Sequence, residues 1–132
     1  MYKFFKILIL IIFSVLIYNS SSFSSDEKIK IGLLVPLTGE DKEIGNQIIK
    51  SIRIALKDID SKKLEIYPRD SGSDPNQTIK AANNLREIGV QIVIGPVFYK
   101  NLIYLENIQD MIFVSLTNQT MNLPNNVISS GV

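Results

Sequence analysis

Hydrophobic residues change their spacing several times along the chain, and each change predicts a new element. Residues 28–35 (KIKIGLLV) start with alternating apolar positions and end in a continuous apolar run that stops at Pro36, which is typical of a buried strand. From Asp41 the apolar residues recur every three or four positions, which predicts an amphipathic helix. Its apolar stripe contains Ile44, Ile48, Ile49, Ile52, Ala55, Leu56 and Ile59.

A second strand and a second helix follow in the same alternating order. Residues 64–70 (LEIYPRD) predict a short strand, and Pro68 favours an edge position because proline cannot donate to a sheet ladder. Asp74 as the N-cap and Pro75 at the first helical position then predict a helix start, and Gly89 predicts its end. The expected buried positions of this helix are Ile79, Ala82, Leu85 and Ile88.

The remaining pattern predicts three more strands and one more helix. Residues 90–94 (VQIVI) form a third strand that ends at Gly95-Pro96, residues 111–116 (MIFVSL) a fourth and residues 127–129 a fifth. Residues 100–109 predict a short helix. This order predicts the α/β class: a parallel, Rossmann-like sheet with helices on both faces, joined by right-handed crossovers. Its first and third strands are expected to be central and buried on both sides. The short helix is expected to turn Leu102, Leu105 and Ile108 inward.

The first 25 residues have the layout of a secretory signal peptide. Lys3 and Lys6 precede an apolar segment at residues 7–18, and a serine-rich stretch follows. As a helix the apolar segment would be roughly 18 Å long, short of the ~30 Å hydrocarbon layer. We expect either a cleaved signal or an uncleaved anchor, which would be the chain's membrane contact, and a mature domain at residues 26–132. Both alternatives predict export to the periplasm.

Composition removes several classes of function. The chain has no cysteine, histidine or tryptophan, so it cannot build a disulfide, a thiolate nucleophile, a Ser-His-Asp triad or a zinc site of the usual kind. We therefore expect no enzyme, no cofactor and no metal. Two of the 14 basic residues lie in the signal segment, so 12 would remain against 13 acidic residues. The basic residues are interleaved with acids, which argues against a nucleic-acid partner.

Ligands of open α/β sheets bind beyond the carboxyl ends of the strands. Four predicted loops leave those ends, at residues 36–41, 70–74, 95–100 and 115–120. The first loop lacks both glycine-rich phosphate motifs, and its acidic residues would repel phosphate from the helix start. Candidate ligand contacts in these loops are Thr38, Gly39, Phe98, Tyr99, Ser115, Thr117 and Asn118.

Each candidate also has a structural interpretation. Gly39 can serve the turn and Thr38 can help to cap the helix, while Phe98 and Tyr99 can pack instead of stacking on a ligand. Ser115 and its polar neighbours can satisfy local backbone groups, as such residues usually do in loops. Asp70, at the end of the second strand, is expected to have a structural role because no second acid is placed to form an acid/base pair with it.

The sequence resembles the type I periplasmic binding proteins of the leucine/isoleucine/valine-binding group over most of residues 29–120. The motifs are "VPLTG" after the first strand, "DP" before the second helix and "VIGP" ending the third strand. Within that group "LLVPLTG", "YPRDSG" and "IGPVF" are most similar to the penicillin-binding protein activator branch. Members of this branch are thought to contact a cell-wall synthase instead of delivering a nutrient.

This resemblance implies an exported, non-enzymatic binding lobe. Its partners would be a small polar solute and a membrane transporter, or, in the alternative, a cell-wall synthase contacted without a small ligand. Amino-acid binders of the family use Ser/Thr groups after the third and fourth strands. Here the fourth loop keeps Ser115 and Thr117, while the third reads "VFYK". The family encloses its ligand between two lobes, so we expect residues 1–132 alone to bind small ligands weakly or not at all.

Overall fold

The computed structural model describes residues 28–59 and 62–131, and the signal segment predicted at residues 1–25 lies outside them. The strands are β1 (Ile29–Val35), β2 (Leu64–Asp70), β3 (Ile92–Ile94), β4 (Ile112–Ser115) and β5 (Val127–Ser129). The helices are α1 (Lys42–Ile59) and α2 (Pro75–Glu87), and two 3₁₀ turns span Tyr99–Leu102 and Leu105–Asn107. Apart from the segment between β3 and β4, these elements confirm the predicted alternation.

All five strands are parallel and lie in the order β2-β1-β3-β4-β5. The chain therefore moves one way from β1 to β2, then reverses and runs across β1 to β3, β4 and β5. The predicted edge position of β2 and the central positions of β1 and β3 are confirmed. Pro68 pairs with Leu33 of β1, and its missing N–H is tolerated because only one side of β2 has a neighbouring strand.

The second helix begins and ends where the sequence predicts. The Asp74 carboxylate accepts a hydrogen bond from the backbone N–H of Gln77 at 2.8 Å, and Pro75 occupies the first turn. Gly89 follows the helix with φ +82°, a left-handed conformation that glycine adopts without a steric penalty. Ala82 and Leu85 are fully buried, and Ile79 and Ile88 pack at the margin of the same core.

The main hydrophobic core lies between the sheet and α2. Gly32 of β1 faces this core, because a Cβ atom there would come within 2.7 Å of Leu85 and 3.0 Å of Val93. The other fully or nearly fully buried members are Leu34, Ala82, Val90, Leu102, Leu105, Ile108, Met111, Phe113 and Val127. The inward positions predicted after β3 are thus confirmed, since Leu102, Leu105 and Ile108 all belong to this core.

Two expectations about packing are wrong. The segment at residues 100–109 is two 3₁₀ turns instead of one helix. The second error concerns the opposite face of the sheet, where burial is incomplete. Ile92 in the central strand β3 is 42% exposed, and Ile44 and Ile59 in the predicted apolar stripe of α1 are 41% and 62% exposed. For Ile92 the physical reason is that α1 packs over Leu33 and β2 and leaves the β3 part of that face uncovered.

Candidate functional site

The four loops at the carboxyl ends of the strands meet at one edge, as the sequence predicts. The third and fourth loops are joined by two backbone hydrogen bonds, from Gly95 to the carbonyl of Val114 at 2.8 Å and from Leu116 to the carbonyl of Pro96 at 3.1 Å. Gly95 also touches β1, because a Cβ atom there would lie 2.1 Å from the carbonyl oxygen of Leu34. We call this surface, formed by residues 36–41, 70–74, 95–100 and 115–120, the carboxyl edge.

Asp70 ties the first two loops together. One of its carboxylate oxygens accepts from the backbone N–H of Leu37 at 2.7 Å and from that of Gly72 at 2.8 Å. The other accepts from the Thr38 hydroxyl at 2.6 Å and from the side-chain amide of Gln77 at 3.0 Å. These contacts agree with the expected structural role of Asp70. Its partners lie in the loop after β1, in the loop after β2 and in α2.

These donors also change the acidity of Asp70. Partial burial acts to raise the pKa of the carboxyl group, but the hydrogen bonds from the Thr38 hydroxyl and from the backbone N–H groups of Leu37 and Gly72 outweigh it. The net result is a lowered pKa, because donors that point at a carboxylate stabilise its charged form. A carboxylate held ionised by four internal donors is suited to fixing loop geometry and poorly suited to general acid or base catalysis at neutral pH.

The two first-loop candidates, Thr38 and Gly39, lie in the loop that Asp70 holds. Thr38 is exposed, but its hydroxyl hydrogen is already donated to Asp70, so the predicted cap contact to α1 is not what the structure shows. The hydroxyl oxygen still has acceptor capacity for a further hydrogen bond. Gly39 has φ +79° and no atom within 4 Å of a would-be Cβ, so glycine serves the turn here, as the structural interpretation proposed.

Two of the fourth-loop candidates are directed inward. Ser115 is fully buried, and its hydroxyl donates to the carbonyl of Pro96 at 2.9 Å and accepts from the N–H of Thr117 at 3.3 Å. Thr117 is 7% exposed, and its hydroxyl accepts from the N–H of Gln119 at 3.2 Å. Both side chains therefore satisfy local backbone groups, one of the two interpretations left open by the sequence. Asn118 is exposed at the carboxyl edge.

The third loop presents an aromatic and basic surface. Phe98 is partly buried, and the ammonium group of Lys100 lies 5.7 Å from the centre of its ring, within the range of a cation–π contact. Tyr99 is 42% exposed and helps to line a cavity of about 630 Å³ that also includes Pro75, Ile103 and Leu123. Lys100 and Leu102 of the first 3₁₀ turn also line that cavity, and none of the other predicted contact residues does.

Sequence reasoning missed two polar side chains. Gln77 was assigned only to the helix start, yet its side-chain amide completes the set of donors to Asp70. Asn101 is 1% exposed, and neither polar atom of its amide has a hydrogen-bond partner among the described residues. The sequence signal that could have identified Asn101 is its position directly before Leu102, which the sequence predicts to point inward. Within residues 28–59 and 62–131 there is no group of three or more potential metal ligands.

The parallel sheet defines the fold class of the chain, and sequence comparison identifies its family. The profile described as "Periplasmic binding protein" matches residues 28–114, and the chain belongs to that family. A Leu/Ile/Val-binding protein, BraC3, of Rhizobium johnstonii is 33% identical over 75 residues, which is 52% of this chain and 20% of that protein. The chain thus spans about one fifth of the length of the curated relatives it matches.

Solved structures show the same fold. A leucine-binding protein, LivK, of Thermotoga maritima has a TM-score of 0.65 at 19% identity, covering 75% of this chain and 31% of that one. The C-domain of LpoA of Haemophilus influenzae, described as a regulator of PBP1A, has a TM-score of 0.64 at 22% identity, covering 78% and 32%. Both likenesses confirm the type I binding-protein lobe. None of the described helices is long and apolar enough to cross a membrane.

Proposed function

We propose that this chain is an exported, non-enzymatic binding lobe whose carboxyl edge forms one wall of a cleft for a small polar solute. The observation that carries the proposal is the set of four hydrogen bonds that Asp70 accepts, which we call the Asp70 clamp. The clamp fixes the loop at residues 36–41 before any ligand binds. Preformed walls reduce the entropy that binding must overcome. The Leu/Ile/Val-binding relatives make an amino-acid-like solute the first ligand class to test.

The wall by itself should bind weakly. Ser115 and Thr117, which the family resemblance assigns to the ligand, are occupied with backbone partners. One wall also buries far less of a small ligand than the ~70–90% that is usual in enclosed sites. We therefore expect an affinity for L-leucine no tighter than about 1 mM, corresponding to roughly −4 kcal/mol.

An NMR titration of the 132-residue chain with L-leucine tests this proposal. Amide shifts should saturate and be confined to the carboxyl edge. Asn118→Ala should weaken the response, whereas Asn125→Ala, an exposed change in the turn before β5, should leave it unchanged. Shifts scattered over the whole surface, or equal effects of both substitutions, would reject the wall as a solute site.

A second function is favoured by the third loop. "VFYK" places Phe98, the exposed Tyr99 and Lys100 where amino-acid binders of the family carry Ser/Thr groups, and aromatic residues are enriched at protein interfaces. In this alternative the lobe contacts a peptidoglycan synthase and regulates it. Surface plasmon resonance against a synthase of the same cell should then show binding that Tyr99→Ser weakens, whereas Ile54→Ser, at a 63% exposed position of α1 outside the cavity that Tyr99 lines, should leave it unchanged.

A further inference from the structure

The cavity beside the first 3₁₀ turn is a second concave site on the molecule. Its volume of about 630 Å³ lies within the ~300–1,000 Å³ that is usual for ligand sites. Among the described residues of the carboxyl edge, only Tyr99 and Lys100 line it. We call it the tyrosine pocket, after two side chains that line it and are 42% and 43% exposed, Tyr99 and Tyr104.

Contacts within the chain hold the walls of the tyrosine pocket in place. Leu102, which lines it, is 1% exposed and belongs to the hydrophobic core, and Leu123 packs against the same core. The carbonyl of Pro124 accepts a hydrogen bond at 3.0 Å from the backbone N–H of the first residue of β5. Asn107 donates to the carbonyl of Tyr104 from its backbone N–H at 3.3 Å and from its side-chain amide at 3.2 Å. Walls held in this way lose little conformational freedom when a ligand binds.

The pocket also carries hydrogen-bond donors that are not used inside the chain. Within residues 28–59 and 62–131, the hydroxyls of Tyr99 and Tyr104 and the ammonium group of Lys100 donate to no other residue. The ammonium group instead lies 5.7 Å from the centre of the Phe98 ring, a contact that uses no hydrogen-bond acceptor atom. In the same described ranges the carboxylate of Glu106, also in the lining, has no ion-pair partner. The lining thus combines apolar walls, free donors and one unpaired negative charge.

A proline-rich segment in the polyproline II conformation has the complementary chemistry. Its carbonyl groups have no internal partner, and its prolines have no N–H, so it presents hydrogen-bond acceptors and apolar rings. Aromatic-lined grooves are the usual receptors for this conformation. An α-helical ligand would leave the free donors of the pocket unused, because the carbonyl groups of a helix are already bonded within it.

We propose that the tyrosine pocket binds a short proline-rich segment of a partner protein, with a basic residue of that segment against Glu106. The rings of Tyr99 and Tyr104 contact prolines of the segment, and their hydroxyls donate to its carbonyl groups. Polyproline II has three residues per turn, so the contacting prolines recur at every third position. The opposite charges of Lys100 and Glu106 favour one direction of the segment over the other. This inference depends neither on the proposed solute site nor on a peptidoglycan synthase as the partner.

Fluorescence anisotropy with a labelled synthetic peptide tests the proposal. The probe is an oligoproline that ends in one arginine, and the control peptide replaces the prolines with alternating glycine and serine. We expect saturable binding of the probe to the folded 132-residue chain. The control should bind at least about tenfold more weakly, because it lacks the rings and loses more conformational entropy on binding. A probe that ends in glutamate should also bind more weakly than the arginine probe, and Glu106→Gln should reduce that difference.

Substitutions at Tyr104 separate the contribution of its ring from that of its hydroxyl. Tyr104→Ala should weaken probe binding at least about tenfold, since it removes both groups. Tyr104→Phe removes only the hydroxyl and should weaken binding roughly threefold. Ile54→Ala, at a 63% exposed position of α1 outside the pocket, should leave binding unchanged. Circular dichroism of each variant keeps loss of folding separate from loss of binding.

Three results would overturn the proposal. Equal binding of the oligoproline probe and the glycine–serine control would show that the polyproline conformation is not recognised. The absence of saturable binding to a folded chain would show that the pocket does not accept such a segment. Probe binding that Tyr104→Ala leaves unchanged, or that excess L-leucine displaces, would place the peptide outside the tyrosine pocket. A failure of L-leucine to bind would count against the solute site alone, so the two proposals are tested separately.

Discussion

At the scale of single residues, Asp70 organises the carboxyl edge. Its carboxylate accepts four hydrogen bonds, two from backbone N–H groups and two from side chains. The sequence places Asp70 at a strand end with Arg69 beside it, an arrangement that a catalytic carboxylate would share. The contacts decide between these interpretations, because Arg69 instead donates to Asn84 and to the carbonyl of Pro68.

Asp70→Asn should destabilise the chain by about 1–2 kcal/mol, because hydrogen bonds to a charged acceptor contribute roughly 1.5–3 kcal/mol and part of the site is wet. The asparagine amide would also place a donor against the donor of Gln77. Urea denaturation measures the change. Asp58→Asn, an exposed substitution of the same kind on α1, serves as the control and should change the free energy of unfolding by less than about 0.5 kcal/mol. Equal effects of the two substitutions would contradict the clamp.

At the scale of elements, the prediction of α2 is correct and the prediction of a helix at residues 100–109 is wrong. The helix α2 has a cap, a first-turn proline and a terminating glycine, all local signals that specify a helix. In the segment after β3, the buried Leu102, Leu105 and Ile108 repeat every three residues. A repeat of three fits a 3₁₀ geometry, in which positions i and i+3 are aligned. The wrong prediction came from interpreting that repeat as part of an α-helical stripe.

Asp74→Ala should cost about 1 kcal/mol, because it removes the acceptor for the N–H of Gln77 at the start of α2. Thermal and urea unfolding followed by circular dichroism provide the measurement. Asn76→Ala, an exposed change in the same helical turn, should be neutral or slightly stabilising since alanine has the higher helix propensity. A cost at Asn76 as large as at Asp74 would argue against the cap.

At the scale of the whole molecule, three carboxyl groups link stability to pH. The pKa of Asp70 is lowered by its hydrogen bonds against the opposing effect of burial. The pKa of Glu65 is lowered mainly by its hydrogen bond from Lys28, and that of Asp110 by its hydrogen bond from Arg86. A lowered pKa in the folded state means that the stabilisation is present above the unfolded pKa, about 4, and is lost as the pH falls through the folded value.

The free energy of unfolding should therefore be flat near neutral pH and decrease as the pH falls below about 5. High salt separates the contribution of Asp70 to stability from the contributions of the two exposed ion pairs. Near 1 M NaCl the Debye length is roughly 3 Å, so the exposed Lys28–Glu65 and Arg86–Asp110 pairs should contribute little. The part due to Asp70 should persist and should disappear in Asp70→Asn. Urea titrations at several pH values test this, and an acid loss that is unchanged in Asp70→Asn would contradict it.

Apart from the segment between β3 and β4, the sequence by itself determined the order of strands and helices, the edge position of β2, the limits of α2 and the family. These features depend on local signals and on alternating apolar periods, which are properties of neighbouring residues. It also marked the loops that meet at the carboxyl edge, since that follows from parallel strands. For the candidate site, however, it could name polar residues without deciding which of them face outward.

Only the tertiary structure decided which candidates are already occupied and which apolar residues remain uncovered. Ser115 and Thr117 are satisfied by backbone groups, and Thr38 donates to Asp70, 32 residues away. Ile92, Ile112 and Ile128 are as apolar as any core residue, yet they stay exposed. The reason is that both outcomes depend on contacts between distant segments. Hydrogen-bond partners depend on how the loops meet, and burial depends on which face each crossover takes.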